Sequence, residues 1–294
     1  MRAIFAVTIW LSVLFFLPPL WGENSKGHGL AAYPETPEPV GIAHLIPLGW
    51  MAATAAARTL HWVLVVALLA YTLVPFRHLR YPALAVLVIH NAIFTLNNSQ
   101  GSTHHGYQII TLTLLAQTLL LWYPTFCKWA KWLPPLPAAP DLRSLWVYYS
   151  QLTIAGAYVI AGVSKLLRSG LSWIVDSPLI SVQVVKTHSQ NYYNWLQDVY
   201  SDRGMTVANW ISDHPMLTRF MLTGGLLLEL FAFLCLLGRG WAFVIGAAMV
   251  GLHVSISLIM HLDFPQNEQV CLIFLMNVPF WMALAGRKLA APKA

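Results

Sequence analysis

Charge is scarce in this 294-residue chain. Asp, Glu, Lys and Arg together make up 10% of it, and only 11 residues are acidic, whereas roughly a quarter of an ordinary soluble domain is charged. Cysteine is scarcer: Cys127, Cys235 and Cys271 show no CxxC spacing, which argues against a disulfide framework and a thiol-ligated metal. Histidine is present eleven times, but no two stand at i, i+4, and neither Glu-x-x-His nor His-x-x-x-His occurs. The helical zinc motifs are therefore missing, and no metal is predicted.

Apolar residues fill the space that charge leaves. They reach 57% with 13 Trp, and the mean hydropathy is +0.61, a composition that belongs in a bilayer. About 20 helical residues cross the hydrocarbon, and eight runs approach that length: Ile4 to Trp21, Thr59 to Phe76, Tyr81 to Leu96, Gln108 to Tyr123, Leu145 to Leu167, Met216 to Leu237, Trp241 to Leu262 and Val270 to Ala285. The first lacks a small-x-small pattern before Gly22 and reads as an anchor in preference to a cleaved signal. Leu45 to Ala57 is short and reads as interfacial or re-entrant. The expectation is an all-α polytopic bundle of about eight spans, forming one membrane domain over residues 1–294.

Lysine and arginine placement predicts the orientation. With both termini cytoplasmic, ten of the 17 basic residues fall on the inner side, as short cytoplasmic loops require. The net charge of +6 is then topological and implies no nucleic-acid partner; membrane lipids are the expected surroundings. Two long outer loops remain, residues 22–58 and 168–215. The first is rich in Gly and Pro. The second, loaded with Trp and Tyr, predicts short helices lying on the bilayer, with Ser212 or Asp213 capping the span that follows.

Few polar groups interrupt the runs. Lys165 ends QLTIAGAYVIAGVSKLL and shares a helix face with Tyr158 and Gln151; Ala155, Gly156, Ala161 and Gly162 would let a helix or a flat ligand approach. A lysine there either marks a site or snorkels to headgroups. Glu229 and His253 lie near the middles of later runs. Glu229 is expected to be protonated, paired with His253, or hydrogen-bonded to Tyr158 or Gln151. His104 and His105, in NNSQGSTHHGYQ, read either as loop histidines or as acid–base groups, Gly101 and Gly106 giving the backbone freedom to turn one of them inward.

The run Gln151 to Leu167 with Trp173 resembles the Q...Y..AG..KL...W signature of the HTTM proteins, the membrane module that includes vitamin K-dependent gamma-carboxylase. GGLLLELFAFLCLLGRGWAFVIGAAMVGLHVSISLIMHLDFPQNE is similar to that family's next two spans, and NNSQGSTHHGY to its Asn-Asn-His-Ser-Tyr loop, giving a core of about residues 97–285. The resemblance implies a quinol- and oxygen-dependent oxidation or carboxylation at the outer face of a membrane, a bacterial inner membrane in this case. It makes Lys165 the base that deprotonates a reduced isoprenoid naphthoquinone, with His104 or His105 assisting, and places Gln151, Tyr158, Trp173, Glu229 and His253 around the cofactor. The rival expectation is a non-catalytic lipid- or quinone-binding subunit of a larger membrane protein complex.

Overall fold

The computed structural model describes residues 1–14, 40–52, 54–99, 106–134, 141–196 and 198–290. Among them the chain is helical, without strands. The α-helices of the first half are α1 (Arg2–Val13), α2 (Thr54–Leu73), α3 (Arg80–Asn98), α4 (Gly106–Trp129) and α5 (Leu142–Ser169). Those of the second half are α6 (Ser172–Val175), α7 (Ile180–Trp195), α8 (Asp198–Asp213), α9 (Pro215–Leu230), α10 (Arg239–Met260), α11 (Pro265–Val270) and α12 (Val278–Ala290). The chain divides into two compact units, Met1–Thr153 with Pro279–Ala294, and Ile154–Val278.

Three helices, α4, α5 and α10, are long and apolar enough to cross a membrane, and a fourth span results if Pro265–Leu275 and Val278–Gly286 are counted as one broken segment. At 22 to 28 residues the three reach about 33 to 42 Å, more than the ~30 Å of hydrocarbon. Every one of the eight apolar runs contains helix, yet several of those helices are shorter or more polar. Helix α1 has 12 residues, about 18 Å. Helix α3 carries Arg80, His90, Asn91, Asn97 and Asn98 among its apolar residues.

In the first unit, helix ends meet basic side chains. Arg2 donates to the carbonyls of Tyr71 and Val74 at 3.2 and 2.7 Å, satisfying the C-terminal turn of α2 that has no helical partner of its own. Its guanidinium also lies over the Phe76 ring. Arg80, at the start of α3, donates to Thr125 near the end of α4 at 2.8 Å, and Trp122 donates back to the Arg80 carbonyl at 3.1 Å. The start of α3 thus meets the end of α4, an antiparallel hairpin. At the centre of this unit Tyr71 donates to Gln117 Oε1 at 2.6 Å, Gln117 Nε2 to Ser150 at 2.9 Å, and Ser150 to the Trp146 carbonyl at 2.8 Å.

In the second unit, the described part of residues 168–215 is helical, including α6 to α8 and a 3-10 turn at Ser177–Leu179, in line with the helices the sequence predicts there. Helices α7 and α8 pack against each other; a Cβ on Gly204 would stand 2.6 Å from His188 Cβ, so only glycine permits that approach. The predicted cap on α9 differs. Ser212 donates to Ala208 within α8 and Asp213 ends that helix, while His214 precedes α9 with no side-chain cap bond. Pro215 opens α9; it has no N–H to satisfy and its φ is preset for a helix, so this turn starts without a capping side chain. After Leu230 the α-helix tightens into a 3-10 segment, Ala232–Leu237, and Cys271–Leu275 widens into a π-helix. Such irregular turns are frequent at functional sites.

Candidate functional site

The segment Ala161-Gly162 to Lys165-Leu166 explains how a charge is accommodated on an apolar helix. Gly162 and Lys165 are three apart, hence on one face of α5. A Cβ on Gly162 would come within 3.1 Å of Leu230 and 3.3 Å of Glu229 Cβ. The missing side chain therefore lets the last turn of α9 lie against α5, and one turn further on Lys165 Nζ donates to both oxygens of Glu229 at 2.6 Å. Gly156, grouped with Gly162 in the sequence reading, has nothing within 4 Å of an added Cβ; it sets no close approach.

Glu229 thus pairs with Lys165, a partner the sequence did not indicate, and this is the sole salt bridge among the described residues. The side chains are 32% and 11% exposed, so the carboxylate is nearly enclosed while the ammonium keeps access to one side. The indole of Trp173 covers part of that side, with Nζ 5.3 Å from the ring centroid, close enough for cation–π attraction.

The accessible side is a cavity of about 450 Å³, within the usual range for small-molecule sites. Lys165, Glu229 and Trp173 line one part of it; Leu222, Leu226, Leu252 and Ile256 supply an apolar wall, and Gln183, Lys186, Thr187 and Gln190 a polar one. Those four polar residues recur at i, i+3, i+4 and i+7 along α7, a single helical stripe. In the sequence only that spacing marks them, in a segment whose Trp and Tyr content dominates.

Tyr158 and His253 form a second centre in this unit. The Tyr158 hydroxyl lies 2.7 Å from His253 Nε2, 3.6 Å from Cys271 Sγ and 3.4 Å from Asn267 Nδ2. Cys271 opens the π-helix, and Phe264 packs against the His253 ring. Neither Tyr158 nor His253 lines the Lys165 cavity. Asn267 lies in the quoted stretch ending HLDFPQNE and Cys271 in the last apolar run, but nothing in their spacing marks either as a partner of Tyr158. Gln151 belongs to the first unit, and His104 and His105 lie outside the described residues.

Beyond the end of α10, His261 adopts a left-handed conformation with φ 50° and its N–H donates to Ser257 O at 2.9 Å, ending the helix in the manner usually given to glycine. No group of three or more His, Cys, Asp or Glu side chains placed to hold a metal ion occurs among the described residues.

No family model, no curated protein and no solved structure matches this chain. The resemblance to the HTTM proteins therefore rests on the residues quoted for it.

Proposed function

We propose that the chain is a multi-pass membrane protein that takes a lipophilic hydroquinone into the cavity beside Lys165, Glu229 and Trp173 and removes a proton from its ring hydroxyl. The observation that carries this reading is an acid–base pair at 2.6 Å set in a largely apolar wall beside an aromatic face. Proton transfer from the ammonium to Glu229 frees the amine lone pair toward the cavity, and that lone pair accepts the hydroquinone proton. A ring head fits about 450 Å³; an isoprenoid tail would remain in the bilayer.

The resemblance supplies the rest of the chemistry. Hydroquinone and dioxygen give an epoxide and water: the ring loses four electrons, one oxygen atom enters it and the other leaves as water. The strongly basic intermediate on this path can abstract a carbon-bound proton, and carbon dioxide can trap the carbanion. The proposal keeps eight spans with both termini cytoplasmic and the cavity toward the outer face of a bacterial inner membrane. It is supported by the lysine and arginine distribution and by apolar side chains left exposed on helices, among them Val66, Ile160, Phe220 and Val244, more than a water-facing surface usually carries. Chemical labelling of single cysteines from either side of the membrane tests the topology.

The reaction is tested by mass spectrometry of the purified protein incubated with a reduced naphthoquinone, oxygen and bicarbonate. Epoxide formed by the wild type and not by Lys165→Ala supports the proposal; equal yields refute it. The second reading, a non-catalytic lipid- or quinone-binding subunit, draws support from the ion pair itself, in which Nζ engages both carboxylate oxygens. A stoichiometric partner retained in mild detergent, without epoxide, favours that reading.

A further inference from the structure

The cavity carries one positive charge more than Lys165 and Glu229 account for. Lys186 lines it as well, is exposed at its rim, and has no carboxylate within 4.0 Å among the described residues, where Lys165–Glu229 is the sole salt bridge. Lys165 is matched by Glu229, so the lining as a whole is left with the charge of Lys186. Asp176 lines an adjoining cavity of about 290 Å³ and not this one.

The groups around Lys186 favour an anion. Gln183 and Gln190 lie one turn before and one turn after it on the same stripe and offer amide N–H donors. The Thr187 hydroxyl is already donating to the Gln183 and Val184 carbonyls at 3.1 and 3.0 Å. The α7 wall therefore holds one ammonium and two amides with no carboxylate. Across from it stand Leu222, Leu226, Leu252 and Ile256, which reward an apolar body and supply no polar partner.

We infer that this cavity binds an amphiphile with an oxyanion head, phosphate or carboxylate, seated at Lys186 between Gln183 and Gln190, its apolar part lying on the leucine and isoleucine wall. The inference rests on the cavity being a ligand site; it does not depend on what becomes of the hydroquinone. The head makes charge-assisted hydrogen bonds, which are stronger than neutral ones, and a surrounding bilayer supplies such molecules at its own surface.

The full-length protein in a neutral detergent is titrated with dodecyl phosphate, laurate, dodecanol and dodecyltrimethylammonium, and with inorganic phosphate, with binding read by calorimetry. The expected result is that one or both acidic amphiphiles bind about tenfold more tightly than dodecanol, the worth of a single charge-assisted hydrogen bond, and that Lys186→Gln abolishes the preference while Lys186→Arg retains it. Dodecyl phosphate and laurate separate the two heads. Inorganic phosphate binding alone as tightly as dodecyl phosphate would assign the site to a free anion and overturn the amphiphile. Equal affinities for all four amphiphiles, a preference unchanged in Lys186→Gln, or no binding at all would also overturn it. Lysine-dependent epoxide formation without acidic selectivity would remove this inference and leave the hydroquinone reading standing, whereas acidic selectivity without epoxide would do the reverse.

Discussion

Each unit places a polar network among apolar helices, and the two networks end differently. In the first, Tyr71, Gln117 and Ser150 are all fully buried and every link passes to another protein group until the Trp146 carbonyl closes the chain. In the second, Lys165 and Glu229 close on each other, but the lysine is 32% exposed and a cavity lies beside it. The first arrangement uses its hydrogen bonds to join three helices, as polar residues commonly do between apolar helices. The second spends stability on charge that a neutral pair would not need. A closed network holds helices together; an open, ionised one has groups left to meet a ligand.

The sharpest way to break this contrast is to remove the charges. Lys165→Ala and Glu229→Ala are each expected to lower epoxide formation at least ~100-fold, the usual worth of a positioned acid–base group, as read by mass spectrometry. Gln117→Leu should leave turnover per folded molecule unchanged. If Gln117→Leu lowers turnover as much as Lys165→Ala, the two networks do not differ in role and the distinction fails.

A second experiment asks how tightly α10 packs against the π-helical segment of the same unit. A Cβ on Gly246 of α10 would stand 2.7 Å from Leu275 Cβ and 2.9 Å from the Met276 backbone nitrogen, so backbone has to move to admit it. Gly246→Ala is therefore expected to destabilise the protein by about 2 kcal/mol, typical of overpacking, seen as a lower midpoint in thermal unfolding in detergent. An unchanged midpoint would mean that the π-helical segment yields freely.

The closed network is tested by Gln117→Leu itself. It strands the Tyr71 hydroxyl in a fully buried place, at a cost of about 1 to 2 kcal/mol. Tyr71→Phe in the same background removes the stranded group and should recover most of that loss. Failure to recover would mean that Gln117 acts by packing, with its hydrogen bonds incidental.

What the sequence made legible follows from how local each feature is. The α-helical class and the apolar runs depend on residues next to one another, and the helices in residues 168–215 could be anticipated from the aromatic pattern. Lys165 stood out because an isolated charge in an apolar run is conspicuous. Glu229 stood out for the same reason, but that the two pair did not show, since they are 64 residues apart and Gly162, which brings α9 to α5, looks like any other small residue in such a helix. The same holds for Tyr158, whose partners His253, Asn267 and Cys271 come from distant segments. The cap on α9 went wrong because a proline start made a capping side chain unnecessary, and the length of each apolar run did not reveal where a helix would tighten or widen, as it does after Leu230 and from Cys271.

The smallest expected effect concerns Trp173 and separates attraction from packing. Its ring centroid lies 5.3 Å from Lys165 Nζ, and because the lysine is partly exposed the attraction is worth about 0.5 to 1 kcal/mol. Trp173→Leu should therefore weaken hydroquinone binding about two- to fivefold, measured by calorimetry. Trp173→Phe, which keeps a ring with a weaker attraction for cations, should fall between wild type and the leucine variant. An indole that merely filled space would give a different order: leucine and phenylalanine would cost similar stability and leave affinity alike. The graded result would place the aromatic face within the open network.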